Sequence, residues 1–150
     1  MSKVKEILKK ENVRILNQVK DWREAIKVST DPLIEQGYIT ENYPKRIIQL
    51  TEEHGAYYIV AKNLALVHAR PEDGVLKQQL AVTVIRKPVV FDNKEDEPVQ
   101  LFVTLCATDS NSHLEMLQEL AEIMMDESRV EKCVQMETPE ALYEEITKRG

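Results

Sequence analysis

The sequence predicts an α/β fold in which a mixed β-sheet is covered by helices on both faces, a three-layer sandwich. Three observations predict it. Apart from Val13–Leu16, the β-branched and aromatic runs are confined to the middle of the chain, between Tyr57 and Cys106. Helical periodicity lies on both sides of them. Two of the runs, Leu80–Ile85 and Val99–Cys106, are apolar at consecutive positions, as strands buried on both faces are. A length of 150 residues suits one domain, residues 1–150.

The elements follow in order. A short helix is expected over Lys3–Lys10 and a strand over Val13–Leu16. Asp21 and Glu24 read as a capping box for a helix carrying Trp22, Ala25, Ile26 and Leu33. Pro32 should kink or divide that helix, because it biases Asp31 away from helical backbone, and Gly37 should end it. Thr40 is expected to cap a helix with Tyr43, Ile47, Ile48 and Leu50 that stops at Gly55.

Strands are then expected over Tyr57–Val60 and Leu64–Val67, and a turn over Arg70–Gly74. Two doubly apolar strands follow, separated by a charged loop over residues 92–98. Ser112 and Glu115 read as a second capping box, opening a helix with Leu114, Leu117, Ala121 and Met124 on one face and Leu120 and Ile123 beside it. Thr138-Pro139 opens the last helix, with Leu142 and Ile146.

Composition excludes several functions. No apolar run approaches the ~20 residues of a membrane span, and the N-terminus lacks a signal-peptide core, so a cytoplasmic location is expected. Residues 1–108 hold 16 basic and 15 acidic side chains; residues 109–150 hold 4 and 11. That acidic last third argues against a nucleic-acid partner. Cys106 and Cys133 make no disulfide framework or zinc motif, and no glycine-rich phosphate loop or GxSxG is present. Cys106 reads as a buried small hydrophobe, while Lys132 beside Cys133 would lower that thiol's pKa. Met116, Met124, Met125 and Met136 read as core or interface filler, and Trp22 as a core anchor.

The three histidines carry the remaining chemistry. His68 ends an apolar strand, where a rigid base exposes a side chain. It reads either as a nucleophile, through a free imidazole nitrogen, or as a histidine that merely ends a strand. Arg70, two residues on, is placed to neutralise a phosphoryl group on it. His113 falls in the first turn of a helix, where free N–H groups favour an anion and the dipole disfavours protonation; the plain alternative is a solvated polar residue. His54, before Gly55, reads as a structural complement to a helix C-terminus.

The residues around His68 also carry a resemblance. Glu53, then Val60-Ala61, then Leu64-Ala65-Leu66-Val67-His68-Ala69 resembles the active-site signature of the type-2 EIIA domains, the fructose–mannitol class of the bacterial phosphoenolpyruvate:sugar phosphotransferase system. Arg70-Pro71-Glu72, Gly74-Val75, Asp21-Trp22 with Glu24-Ala25-Ile26, Pro88–Phe91, Pro98-Val99 and Asp109–Leu117 resemble its ascorbate branch. Val67 stands where the signature has proline, and Glu52 where mannitol-type members have an assisting arginine.

The resemblance implies a type-2 EIIA-like fold and a sugar-transport phosphoryl carrier. His68 would accept phosphate from HPr and pass it to a cysteine of an EIIB protein or domain, serving a membrane EIIC permease indirectly. His113, Arg70 and the helix end after Ser112 would stabilise charge, and Leu66 or Val67 with Ala69 would form an apolar collar. No cofactor or metal is implied, and a homodimer is an admissible assembly. A regulatory phosphoprotein and a binding module without phosphotransfer are the alternatives.

Overall fold

The computed structural model describes residues 3–148 apart from Asn93 and Met125; part of the charged loop and one of the core methionines named above lie at those two positions. A mixed five-stranded sheet forms the middle layer, in the order β1-β4-β5-β3-β2. The strands are β1 (Val13–Leu16), β2 (Ile59–Ala61), β3 (Asn63–Val67), β4 (Gln79–Phe91) and β5 (Lys94–Cys106). β1 runs parallel to β4, β4 antiparallel to β5, β5 parallel to β3, and β3 antiparallel to β2.

Two apolar clusters lie on the two faces. One gathers Leu64, Leu66, Leu80, Val82, Leu101, Val103 and Leu105 against α1 (Lys3–Ile7), α4 (Ser110–Met124), α5 (Glu127–Gln135) and α6 (Pro139–Thr147). The other sets Ala65, Val67, Ala81, Ile85, Phe102 and Cys106 against α2 (Trp22–Glu35) and α3 (Asn42–His54). Alternate residues of β3, β4 and β5 thus feed opposite cores, which is why these strands read as continuous apolar runs. The expected three-layer α/β architecture is present.

Several local expectations are corrected. The first helix ends at Ile7, and a 3₁₀ turn covers Lys10–Asn12. Pro32 does not divide α2, which is continuous from Trp22 to Glu35. Proline leaves the Val28 carbonyl without its helical donor. Arg14 Nη2, from β1, donates to that oxygen at 2.8 Å, so the helix passes through. Glu24 reaches back to the Lys20 N–H at 2.7 Å while Asp21 accepts from the Glu24 N–H at 2.9 Å.

α3 begins after Glu41 with no side-chain cap, so Thr40 is not the cap. Tyr57 and Tyr58 lie in a turn before β2 rather than in a strand. The charged stretch is not a loop: β5 starts at Lys94, and Phe91 pairs with Lys94. Its charged side chains occupy the exposed arm of a hairpin, with Lys94 and Glu97 3.2 Å apart.

The buried face of α4 is Met116, Leu120 and Met124, a strict four-residue spacing. Leu114 is 55% exposed and Ala121 is also exposed, so the expected stripe is rotated. Trp22 is buried and stacks near Phe91, with its indole N–H donating to Asp92 at 3.2 Å. Among the described residues no helix is long and apolar enough to cross a membrane.

Candidate active site

β3 and β5 are neighbours and parallel, so their C-terminal ends open on the same edge of the sheet. Such an edge is where α/β sheets hold ligands. β3 delivers His68 there, one residue past the Val67–Thr104 pairing. β5 delivers α4, whose first turn carries His113. The two imidazole centroids lie 5.2 Å apart. Together with Leu50, His54, Tyr57, Ala69 and Arg70 they line an open cleft of about 430 Å³. The structure thus brings His68, His113 and Arg70 to one place; His54, in the last turn of α3 before Gly55 as expected, also lines the cleft.

The His68 ring is held by a hydrogen bond from Nδ1 to the Leu66 carbonyl oxygen, 2.6 Å long. A carbonyl only accepts, so Nδ1 carries the proton and neutral His68 keeps its lone pair on Nε2. Burial lowers the pKa of His68; the Leu66 carbonyl opposes this, and His113 adds to the lowering. The ring is therefore neutral at pH 7. Burial also lowers the pKa of His113. His113 Nδ1 is buried without a hydrogen-bond partner. An N–H placed there would lack an acceptor, so neutral His113 carries its proton on Nε2 and offers it as a donor.

The loop after His68 is fixed locally. The Arg70 N–H donates to Asp73 Oδ2 at 3.0 Å, and Pro71 opens a 3₁₀ turn over Pro71–Asp73. Asp73 also lies 3.8 Å from Arg46 Nε. The Arg70 side chain remains exposed beside the histidines. Gly74, at φ 124°, permits the loop to pass close to the start of α3: a Cβ there would clash with Thr40 Oγ1 and lie 3.3 Å from the Tyr43 nitrogen. Val67 is wholly buried as the last residue of β3. Sheet pairing and packing secure the position where proline was expected.

Two expectations about the surroundings change. α4 starts at Ser110, and Asp109 caps it: the carboxylate accepts from the Ser112 N–H at 2.8 Å and the Ser112 hydroxyl at 3.1 Å. The helix end after Ser112 is thus occupied by a carboxylate and is not an anion site. Leu66, Val67 and Ala69 are buried; Tyr57, at 40%, and Leu114 are exposed apolar residues at this edge, as is Leu76 just before β4. Glu52 pairs with Arg23 at 2.9 Å and does not line the cleft.

Neither cysteine is activated. Burial pushes both thiols up to about 12, which overturns the effect expected from Lys132 on Cys133. Among the described residues no group of acidic, His or Cys side chains is arranged to hold a metal ion. Sequence reasoning missed Tyr57 and the role of Tyr43, whose hydroxyls both reach the His68 loop. The Asp109 cap was legible as an aspartate three residues before Ser112.

Residues 6–149 match the family model of the phosphoenolpyruvate-dependent sugar phosphotransferase system, EIIA 2. The mannitol-specific cryptic phosphotransferase enzyme IIA component of Escherichia coli K12 is 35% identical over 137 residues, 91% of this chain and 92% of its own. The solution structure of the mannitol-specific cryptic enzyme IIA from Escherichia coli superposes with a TM-score of 0.91 at 33% identity, over 97% of this chain and 99% of that one. The ascorbate-specific EIIA component of Shigella boydii is 30% identical over 122 residues, covering 81% of this chain and 79% of its own. At the level of fold alone, a TM-score of 0.78 at 20% identity relates 92% of the chain to 96% of the mannitol enzyme IIA of Escherichia coli, solved with phosphorylated enzyme IIB. This chain belongs to the type 2 EIIA family of the phosphoenolpyruvate-dependent sugar phosphotransferase system.

Proposed function

We propose that the protein is a cytoplasmic phosphoryl carrier that accepts phosphate on His68 Nε2 from phospho-HPr and passes it to a cysteine of an EIIB protein. The observation that carries this reading is the Nδ1–Leu66 bond, which leaves Nε2 as the nucleophilic atom in a cleft shared with His113 and Arg70. The Nε2 lone pair attacks phosphorus. The bond from phosphorus to the donor breaks, and its electron pair leaves with the donor. Positive charge arising on the His68 ring rests on the Nδ1–H that faces the Leu66 carbonyl. Transfer of phosphoryl groups passes through a loose transition state, so positioning and charge stabilisation dominate. The His113 N–H and the Arg70 guanidinium supply the second of these. Discharge reverses the geometry: a thiolate attacks phosphorus, and the electron pair returns to Nε2.

Leu114, exposed at the same edge, suits docking of a protein partner on either side of this exchange. The complex of the mannitol enzyme IIA with phosphorylated enzyme IIB supports an EIIB as the second partner. We assign that EIIB to the ascorbate type on the residues around Arg70-Pro71-Glu72. The test is incubation with phosphoenolpyruvate, enzyme I and HPr, followed by addition of an ascorbate-type or a mannitol-type EIIB. The chain should gain one acid-labile phosphoryl group and lose it faster to the ascorbate-type EIIB. Faster loss to the mannitol-type EIIB would reverse the assignment, and failure to gain phosphate would leave a binding module.

A further inference from the structure

We propose that Tyr57 and Tyr43 are positioning residues that clamp the His68–Ala69 peptide group and thereby aim His68; the inference rests on the reading of His68 as phosphoryl acceptor. This peptide lies just beyond the last paired residue of β3. Its carbonyl and N–H groups still require partners, and both partners are tyrosine hydroxyls. The Tyr57 hydroxyl donates to the His68 carbonyl oxygen at 2.6 Å. The Tyr43 hydroxyl accepts from the Ala69 N–H at 3.0 Å. It donates in turn to the Leu105 carbonyl at 2.7 Å, near the end of β5.

A peptide group is planar, so a bond at each end fixes its orientation. That fixes the backbone on which the His68 side chain stands. The Nδ1–Leu66 bond then fixes the ring. The Tyr57 ring adds an edge-on contact with the His68 ring, at 5.5 Å between centroids and 87° between planes. Tyr43 comes from the first turn of α3 and Tyr57 from the turn after it. The acceptor's aim is therefore set jointly: Leu66 of β3 holds the ring, while one helix and its exit turn hold the peptide that follows.

The test uses Tyr57→Phe in the full chain, which keeps the ring and removes only the hydroxyl. Tyr57 is partly exposed, so the variant should fold, and a thermal melt checks that. The first readout is the ¹⁵N spectrum of the His68 imidazole, assigned against His68→Gln. The Nδ1–H tautomer should dominate in the parent. The Nε2–H population should rise roughly 3- to 10-fold in Tyr57→Phe, the size of one lost neutral hydrogen bond. The second readout is phosphorylation by phospho-HPr, where kcat should fall by a similar factor with KM unchanged. An unchanged tautomer population overturns the clamp, whatever the rate does. A raised KM with unchanged kcat also overturns it, making Tyr57 a docking contact. If the parent takes no phosphate on His68, the proposed function fails while the tautomer readout still decides the clamp.

Discussion

Tyr43→Phe is the most telling substitution for the architecture of the site. Tyr43 is wholly buried, and Ala69 is 4% exposed. Burial holds the Tyr43 hydroxyl in its neutral form at any ordinary pH, so it serves only as a hydrogen-bond hub. Removing its oxygen orphans the Ala69 N–H, a buried donor with no water to replace the partner. It also removes the hydroxyl that donates to the Leu105 carbonyl at 2.7 Å and lies 3.3 Å from the Ala69 carbonyl. An orphaned buried donor costs about 1–3 kcal/mol. For a chain of this size each kcal/mol moves Tm by about 2–4 °C. Urea unfolding should therefore show a loss of about 1–3 kcal/mol with an unchanged m-value, and Tm should fall by about 2–12 °C. Phosphorylation should slow even well below the melt, because the residue after His68 is released. A stability change below about 0.5 kcal/mol with full transfer activity would contradict a hub role for Tyr43.

Three further outcomes follow from particular contacts. His68 and His113 both have pKa values lowered in the fold, so the folded state binds fewer protons than the unfolded chain just below pH ~6.5. Stability should hold above that pH and decline as pH falls through it, while phosphoryl uptake persists below it; His113→Gln should raise the His68 pKa, read by NMR titration. Arg70→Ala should slow transfer roughly 10- to 1000-fold, as loss of a charge-stabilising donor does, with urea stability changed by under about 0.5 kcal/mol because the side chain is exposed. Arg14→Met should cost about 1–2 kcal/mol by freeing the Val28 carbonyl. Adding Pro32→Ala should recover most of that loss, since an alanine at this position can supply the missing helical N–H; strictly additive effects would contradict the coupling.

The layered sheet was legible because β3, β4 and β5 are covered on both sides and their apolar runs are unbroken. The hairpin arm over residues 94–98 was not, because exposed strand with four acidic and basic side chains carries the composition of a loop. Its signal was the Asp92-Asn93 pair in the sequence, a dipeptide of turn-forming residues between Phe91 and Lys94. Pro32 misled for a related reason: what keeps α2 whole is an arginine 18 positions away in sequence, on another element. The placement of His68, His113 and Arg70 around one cleft was legible from strand end, helix start and turn. Tyr43 and Tyr57 were not, since a tyrosine in an apolar stretch looks the same whether its hydroxyl is idle or holds a loop.

The most direct test of the account is the mass of the intact chain after incubation with phosphoenolpyruvate, enzyme I and HPr. The parent should gain one phosphoryl group that brief acid treatment removes. His68→Ala should gain none, and His54→Ala should gain it as the parent does. A phosphoryl group that persists in His68→Ala, or a parent that stays unmodified beside a competent EIIA control, would contradict the account.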